Sequence, residues 1–560
     1  MSIAWTYFAR ENSSLRSDNG KWQFFADRWK LCQYIDSLVP AKTCLYLFAH
    51  NAFFDLQVMG FFWYFTDDGW TLDFYYDKGL TYILVIRKGN RSIKALSTTN
   101  WFATSLASLG ETVGFPKLQV DFDTATAEEL STYCHRDVEI MVKAMTAYLD
   151  FIDLNDLGNF GMTKSAQSFN AFRHRFMTSF IRIHEHSETQ ELERNCYMGG
   201  RTEAFYIGSH PGTDFVSLDI NAMYPAIMAA NPMPTELLDY QTDVHLTDAE
   251  SLLSSHCLLA KCKLSTDIPA YAKLFAGKIL FPIGDFTAYL TTPGIAFALQ
   301  HGHLVEIEQL AIYQSDYIFT DFVDFFYALR QRYREEGNKP YETMVKFIMN
   351  SLYGKFGQKQ PIEEWLPFQD REGYFRHEIY DPYDHSVETE TLLFNTLIRS
   401  YGEMNGNNSL VAIPAHITEY GRLMLYNIIG EIGYENVLYC DTDSVKIEGR
   451  HEHLIRHEID ESKIGALKIE ERFHSFTIYG CKDYETENAV KLKGIPRNAR
   501  LIAPGTYEFD SFCGQSTHLR KGEIDEFLLR RIVKKVARRY DKGSVNDDGR
   551  VVPFRFFDFQ

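Results

Sequence analysis

The sequence predicts a multidomain protein of the α+β class. Its 560 residues are enough for about two to four domains with separate cores. Residues 1–150 alternate strand-like runs with helical patterns. Further along, a predicted helical hairpin at residues 321–353 precedes a predicted β-hairpin at residues 436–447. These observations favour several packed domains over a repeat array or a disordered chain.

The N-terminal half contains an α/β region followed by a mixed region. Strand-like runs occur at residues 3–9, 43–49 and 80–87, and a helix is predicted at residues 127–149. Residues 215–220 are predicted to form a buried strand, and residues 224–230 a short helix. Residues 233–320 are expected to be mixed, with many short strands.

Two helices, a second strand-rich region and a basic helix are predicted in the C-terminal half. Helices at residues 321–335 and 341–353 are separated by Gly337 and Pro340, which suit a helix end and a helix start. We expect strands and turns at 358–410, a helix at 413–430 and a basic helix at 524–540. On that last helix Arg530, Lys534 and Arg538 would form a stripe that contacts a nucleic-acid backbone; a merely solvated face is the alternative.

Charge and cysteine content restrict the class of function. The net charge of −18 argues against indiscriminate coating of nucleic acid, although a local basic surface is compatible with a nucleic-acid enzyme. The nine cysteines have no paired Cys-x-x-Cys spacing, which favours a reducing compartment and argues against a zinc site. We find no signal peptide and no uncharged run of transmembrane length, so we expect no membrane partner.

Three aspartates are candidates for binding divalent cations. Asp441 and Asp443 lie in the turn of the predicted hairpin, where an extended backbone would point both side chains the same way. Asp219 ends a predicted strand, and the carbonyl of Ile220 offers a further oxygen. A bound divalent ion is the usual way for close carboxylates to remain ionised. An acidic turn and a capping aspartate are the alternatives.

The second helix of the hairpin carries a candidate site for a triphosphate. Lys346, Asn350 and Tyr353 are spaced by four and three residues, so they share one face. Arg334 ends the preceding helix and is expected to face the same space. A solvated lysine and a core tyrosine are the alternative. Taken with the aspartates, this set indicates two-metal phosphoryl or nucleotidyl transfer.

The same residues resemble the motifs of family B DNA polymerases. Asp219-Ile-Asn-Ala-Met-Tyr-Pro resembles motif A, Lys346-Phe-Ile-Met-Asn-Ser-Leu-Tyr-Gly resembles motif B, and Tyr439-Cys-Asp-Thr-Asp-Ser resembles motif C, in the family's order. Tyr197-Met-Gly199-Gly200 resembles the YxGG segment that binds template. Lys482-Asp-Tyr484 resembles the KxY segment that contacts the primer terminus. The distances between motifs are similar to those of the protein-primed subgroup of phages and linear plasmids.

The resemblance implies a right-hand polymerase with palm, fingers and thumb behind an RNase H-like exonuclease domain. It assigns Asp219, Ile220 and Asp443 to two Mg²⁺ (or Mn²⁺) ions, with Asp441 in support and Thr442 near DNA. It places Tyr224 under the sugar, where it excludes ribonucleotides, and Tyr353 against the nascent base pair. Primer-template DNA, dNTPs and a terminal protein are the implied partners of a monomer. The implied location is a host cytoplasm or an organelle that carries a plasmid.

The motifs also give domain boundaries. We expect an exonuclease-like domain at 1–160, a linker with the first palm segment at 161–232, an insertion resembling a terminal-protein region at 233–320, fingers at 321–357, a second insertion at 358–410, palm at 411–500 and thumb at 501–560.

The exonuclease-like domain carries two of its three motifs. The residues that match are Asn51, Phe54 and Asp55 in the second motif and Tyr133 and Asp137 in the third. The first motif, Asp-x-Glu, does not precede them, so we expect weak or no exonuclease activity; a true loss and a misassigned start are both compatible with this. An alternative function is a 3′–5′ exonuclease or repair nuclease on a non-catalytic polymerase scaffold. A third is an inactive DNA- or protein-binding module.

Overall fold

A five-stranded antiparallel sheet, here called the central sheet, organises the fold. The computed structural model describes residues 4–8, 11–12, 15–16, 20–122, 124–368, 374–380, 387–496, 499–512, 529–536 and 538–559. In spatial order the strands are Leu467–Phe473, Phe215–Ile220, Ser444–Glu448, Val437–Asp441 and Thr202–Ala204. Helices Met223–Ala230 and Ala412–Ile432 pack against it in the largest hydrophobic core. The strand predicted at 215–220, the β-hairpin at 436–447 and the helices at 224–230 and 413–430 are confirmed.

The N-terminal region forms the expected α/β arrangement. Its four-stranded sheet has the order Cys44–Ala49, Arg91–Ser97, Thr81–Lys88 and Thr71–Lys78, with the first pair parallel. Ala4–Phe8 pairs with Lys21–Phe25, and Glu11–Asn12 pairs with Leu15–Arg16. Helices are Arg28–Ser37, Ala52–Val58, Phe61–Asp67, Leu106–Thr112 and Ala127–Leu154. The last one starts at a capping box between Thr126 and Glu129, which satisfies two backbone donors.

A second sheet follows the helix Met223–Ala230. Its strands are Met233–Val244, Leu304–Asp316, His256–Thr266, Ile283–Thr291 and Arg555–Phe557, and the last pairing is parallel. Helices Leu246–Leu252 and Thr292–Gln300 accompany it, and Lys273–Phe275 pairs with Lys278–Leu280. The expectation of many short strands here is wrong, because four of these strands span 9 to 13 residues. Their long mutual pairing, rather than turn residues, sets their length.

The helical hairpin and the region after it match the prediction. The helices are Thr320–Glu335 and Lys339–Phe356, with Gly337 at φ +68° in the turn and Pro340 in the first helical turn. Helices Lys164–Ala171 and Ser187–Cys196 and a π-helical turn at Phe172–Phe176 precede the central sheet. Strands Lys359–Pro367, Thr396–Asn405, Val387–Leu393 and Tyr374–Tyr380 form a sheet in that order. Its Tyr374 and Phe394 pack into the core of the N-terminal region.

The predicted basic helix at 524–540 is wrong where the structure describes it. Leu529–Lys535 is a strand that pairs with Thr506–Phe512, which in turn pairs with Arg500–Ala503. The β-branched pair Ile532-Val533 suits a strand, and cross-strand pairing outweighs helical propensity. Spacing by four therefore no longer defines a basic stripe. Residues 513–528 and the side chain of Arg530 lie outside the described residues.

Short strands complete the C-terminal part. Gly208–Ser209, Phe476–Gly480, Asp483–Thr486 and Val490–Lys491 form one sheet, and Ser544–Val545 pairs with Val551–Val552. Short 3-10 helices lie at Thr98–Asn100, Tyr434–Asn436 and Gly449–Leu454. Within the ranges given above, no helix combines the length and hydrophobicity needed to cross a membrane.

Candidate active site

Asp219 and Asp443 meet at one end of the central sheet. Phe215–Ile220 pairs with Ser444–Glu448, and the register places Asp219 opposite Ser444. The backbone N–H of Ile220 donates to the carbonyl oxygen of Asp443 at 2.7 Å. Buried strands thus hold the two carboxylates in fixed positions, although they lie more than 200 residues apart in sequence.

The turn between Asp441 and Asp443 is tighter than predicted. Thr442 has φ +61°, and the N–H of Asp443 donates to the carbonyl of Asp441 at 2.7 Å, which closes a three-residue γ-turn. The N–H of Thr442 donates to the carbonyl of Arg201 at 2.6 Å. A positive φ is strained for a β-branched residue. The backbone between Asp441 and Asp443 is therefore not extended, and the prediction of an extended segment here is wrong.

The two acids of the turn have different surroundings. Asp441 accepts hydrogen bonds from the hydroxyls of Thr202 at 2.9 Å and Thr442 at 3.2 Å, and the Lys482 Nζ lies 3.5 Å from its Oδ1. Asp443 instead faces Asp219. Burial first, and then the charge of Asp219, raise the pKa of Asp443 to about 6.

Asp219 is paired with a lysine that the sequence reasoning missed. The Nζ of Lys468 lies 3.0 Å from Asp219 Oδ1. Burial still raises the pKa of Asp219, while Lys468 opposes that shift. Lys468 lies on the strand Leu467–Phe473, directly opposite Asp219 in the register. No pattern around Lys468 marks it, so only the pairing of the strands identifies it.

The donor set suits a hard divalent cation. Two carboxylates and the carbonyl of Ile220 are oxygen ligands of the kind that Mg²⁺ and Mn²⁺ prefer. Burial raises the pKa values of both acids, and the charge of Asp219 adds to the shift of Asp443. A bound cation would relieve this cost. Among the described residues, no three Asp, Glu, His or Cys side chains are gathered into one ligand cluster. The remaining coordination positions would thus be left to substrate and water.

The predicted nucleotide-binding residues share one accessible helix face. Lys346 and Asn350 are exposed and Tyr353 is half-buried. The rings of Tyr353 and Tyr224 lie 5.1 Å apart between centroids. Arg334 forms an ion pair with Glu342 at 3.0 Å. Glu342 therefore partly neutralises the charge of Arg334 within the helical hairpin. Binding of a triphosphate by Arg334 remains a prediction.

The Tyr197–Gly200 segment is held by a buried charge network that the sequence did not indicate. Arg422, 2% exposed, donates to the carbonyls of Met198 at 2.8 Å and Gly199 at 3.1 Å. Its guanidinium lies 3.7 Å from the buried Glu419, which accepts a hydrogen bond from the Thr291 hydroxyl. Burying such a pair is costly unless its geometry is well satisfied. The network therefore fixes the backbone of this segment against the helix Ala412–Ile432.

The other predicted DNA-binding residues lie near the KxY segment. Lys482 has φ +61°, and its N–H donates to the Tyr439 hydroxyl at 2.9 Å. The Tyr484 ring packs 5.2 Å from the Tyr439 ring. Arg538 follows the last long strand and lies over the Tyr479 ring. The exposed Lys534 donates to the carbonyl of Gly494 at 3.0 Å. Lys482, Lys534 and Arg538 therefore supply basic groups in this part of the molecule, but they do not form a stripe along one helix.

Comparison with known proteins identifies the family. Residues 119–432 match the family described as DNA polymerase type B, organellar and viral. This match covers more than half of the chain. The chain belongs to the type B DNA polymerases. Three curated relatives agree with this assignment, and they come from fungi and a phage.

The first relative is a Neurospora intermedia protein described as "Probable DNA polymerase", which is 25% identical over 57% of this chain and 33% of its own length. The DNA polymerase of Kluyveromyces lactis is 23% identical over 67% of this chain and 40% of its own length. The DNA-directed DNA polymerase of Enterobacteria phage PRD1 is 25% identical over 57% of this chain and 56% of its own length. The chain thus spans about a third of the length of the first fungal relative.

Solved structures agree on the fold. The ternary complex of Phi29 DNA polymerase with primer-template DNA and incoming nucleotide superposes with a TM-score of 0.63 at 15% identity, over 95% of this chain and 91% of that one. An orthorhombic crystal form of Phi29 DNA polymerase gives 0.62 at 16% identity, over 86% of each chain. The predicted fold class, an RNase H-like domain followed by a right-hand polymerase, is confirmed.

The type B polymerase also contains the second predicted acid site. Asp55 and Asp137 approach each other, and Lys117 Nζ lies 2.7 Å from Asp137 Oδ2. Asp137 Oδ1 is buried without a hydrogen-bond partner. Asp55 is exposed, yet lost hydration first and Asp137 second raise its pKa to about 7. The exposure and the raised pKa of Asp55 together indicate that its carboxylate lies in a crowded recess that solvent still reaches.

The remaining residues predicted from the exonuclease motifs lie around this recess. Lys117 lies over the Tyr133 ring at 4.7 Å from its centroid. Asn51 precedes the helix Ala52–Val58 that carries Asp55, and Phe54 is half-buried beside it. The Nδ1 of His50 lies 2.8 Å from the Thr98 hydroxyl. His50 directly precedes Asn51 in the sequence, whereas Lys117 was not predicted and reaches Asp137 only once the chain is folded.

Proposed function

We propose that this type B polymerase is a DNA-directed DNA polymerase that adds dNTPs to a primer 3′-hydroxyl. The observation that carries the proposal is the fixed Asp219–Asp443 pair beside the accessible face of Lys346, Asn350 and Tyr353. In this reaction the 3′-oxygen forms a bond to the α-phosphorus, and the bond to pyrophosphate breaks. Acids that hold cations and a basic face that holds phosphates are the two requirements of that step.

The chain's own residues have distinct roles in this proposal. Asp219, Asp443 and the carbonyl of Ile220 would hold two Mg²⁺ (or Mn²⁺) ions. When bound, such ions lower the pKa of the attacking hydroxyl and neutralise the leaving pyrophosphate. Lys346 neutralises the triphosphate, and Tyr224 and Tyr353 position the sugar and base. Asp441 holds Thr202, Thr442 and Lys482 in place, and Lys482 and Tyr484 face the primer end.

Primer extension tests the proposal directly. A labelled primer on a template of defined sequence should be extended only by the complementary dNTP, and chelation of divalent ions should stop the reaction. Asp441→Ala and Asp443→Ala should remove incorporation. Undiminished incorporation by Asp443→Ala would refute the assigned site.

We further propose that synthesis starts on a terminal protein. The relatives from a phage and from fungi, and the two inserted sheets at 233–320 and 358–410, support a protein-primed polymerase. The chain should attach one labelled dNTP covalently to a candidate terminal protein when no oligonucleotide is present. If no such product forms while oligonucleotides are extended, ordinary priming replaces this proposal.

We propose only weak or absent exonuclease activity. The Asp55–Asp137 pair has one of its acids occupied by Lys117, and the described residues supply no further acid to the recess. A 5′-labelled single strand incubated with Mg²⁺ should remain intact. Rapid shortening of the strand, abolished by Asp55→Ala, would instead support the alternative function as a 3′–5′ exonuclease.

A further inference from the structure

Two glycines leave room for the Tyr224 ring. Gly421 lies on the helix Ala412–Ile432 where it packs against Met223–Ala230. A Cβ atom at position 421 would lie 3.0 Å from Tyr224 Cε1 and 3.0 Å from the end of the Met223 side chain. Such distances are shorter than ordinary van der Waals contact. The ring would therefore have to move if residue 421 carried a methyl group.

Gly200 limits the same ring at its hydroxyl end. A Cβ atom there would lie 3.1 Å from the Tyr224 hydroxyl and 2.8 Å from Thr442 Cγ2. Neither Gly200 nor Gly421 has a positive φ, so backbone conformation does not require glycine at either position. Glycine inside a helix costs about 1 kcal/mol relative to alanine. Space for the neighbouring side chains is the physical reason that remains.

The ring has one side left open. Tyr353 covers another side, with ring centroids 5.1 Å apart and planes at 49°. Tyr224 is nevertheless only half-buried. After burial, the charge of Asp443 contributes to raising the pKa of Tyr224, and the charge of Lys346 acts on Asp219, so the ring lies close to the proposed nucleotide site. We therefore expect a methyl group at 421 or 200 to displace the ring toward the space proposed for the nucleotide.

We propose that Gly421 and Gly200 are positioning residues that set how far Tyr224 reaches toward the sugar of the incoming nucleotide. The inference rests on the proposed polymerase function and on Tyr224 as the residue that excludes ribonucleotides. It adds that sugar selection depends on the absence of a side chain at two positions that do not themselves meet the nucleotide. The substrate class concerned is the nucleoside triphosphate, distinguished by its 2′-hydroxyl.

Single-nucleotide insertion kinetics with dCTP and CTP test this. Gly421→Ala should raise the KM for dCTP about fivefold or more with little change in kcat, because the displaced ring narrows the sugar site. Insertion of CTP should fall further, so the preference for dCTP increases. Gly430→Ala is the matched control, since a methyl at 430 on the same helix meets no atom within 4 Å.

A double-mutant cycle separates positioning from general damage. In a Tyr224→Ala background, Gly421→Ala should raise KM far less than it does in the wild type, because its proposed effect on the nucleotide acts through the ring. Gly200→Ala is the second variant, and adding Tyr224→Phe should partly restore its KM by removing the contact at the hydroxyl. A purely structural defect would persist in both backgrounds and would appear in thermal melting.

The outcomes distinguish this inference from the function beneath it. If the wild-type chain inserts neither nucleotide, the proposed function and the inference both fail. If Tyr224→Ala does not relax the choice of sugar, the role given to Tyr224 is wrong and the inference falls with it. If Tyr224→Ala relaxes that choice while Gly421→Ala and Gly200→Ala behave like Gly430→Ala, the glycine inference alone is overturned.

Discussion

The molecule has two pairs of acids, Asp219 with Asp443 and Asp55 with Asp137, and they are built differently. In the first pair, Asp219 lies on a buried strand and Asp443 lies in the turn directly before the neighbouring strand, and a backbone hydrogen bond joins the two segments. The second pair lies on two helices, Ala52–Val58 and Ala127–Leu154. A lysine touches one acid in each pair, at 3.0 Å in the first and 2.7 Å in the second.

What surrounds each pair makes the difference. Beside Asp219 and Asp443 lie the exposed Lys346 and the paired rings of Tyr224 and Tyr353. The recess of Asp55 and Asp137 offers Lys117 and His50. Close acids alone therefore do not define a function; the groups that receive the substrate decide it.

The largest expected effect is on dNTP incorporation, when the pair Asp219 and Asp443 is altered and the pair Asp55 and Asp137 is the control. Asp443→Asn and Asp219→Asn should each lower dNTP incorporation by about a thousandfold or more, because each removes a cation ligand from the reaction centre. Asp137→Asn is the control and should leave incorporation near the wild-type rate. Primer extension under single-turnover conditions measures all three, and an equal loss in Asp137→Asn would mean that the two sites are coupled.

The next effect concerns the basic face beside the first pair. Lys346→Ala should raise the KM for dNTPs about tenfold to a hundredfold, the loss expected for one charge-assisted contact to phosphate. Lys355→Ala is the matched control, since nine residues along the helix place it on the opposite face. An effect of Lys355→Ala as large as that of Lys346→Ala would contradict the assignment of this face to the triphosphate.

The smallest expected effect is on stability, and it depends on pH. Folding raises the pKa of Asp443 to about 6, so the protonated form is favoured and the ionised form destabilises the fold above that pH. Without divalent ions, Asp443→Asn should therefore increase the free energy of unfolding at pH 7.5 by about 1–3 kcal/mol. The gain should shrink as the pH falls through 6 and vanish near pH 4.

Thermal melting in the presence of a chelator, at pH 7.5 and at pH 4, measures this change in the free energy of unfolding. Asp441→Asn serves as the control, because Asp441 accepts hydrogen bonds from two threonine hydroxyls and should gain nothing on neutralisation. Asp443→Asn melting below the wild type at pH 7.5 would show that burial of the ionised Asp443 beside Asp219 does not destabilise the fold.

Local patterns in the sequence were sufficient for much of this protein. Hydrophobic runs predicted the strand Phe215–Ile220, and Gly337 and Pro340 predicted where the helices Thr320–Glu335 and Lys339–Phe356 meet. Spacing predicted the shared face of Lys346, Asn350 and Tyr353. The motif resemblance predicted the fold class. These features depend on neighbours within a few residues, which is why they are visible in the chain itself.

Only the tertiary structure decided the rest. Residues 529–535 became a strand because a distant segment pairs with them. The register of the central sheet brought Lys468 to Asp219, and the packing of two helices placed Gly421 behind Tyr224. The γ-turn at Thr442 gave Asp441 and Asp443 different neighbours. Sequence determines local periodicity and turn chemistry; contacts between residues hundreds of positions apart arise from pairing and packing, which leave no periodic signal in the chain.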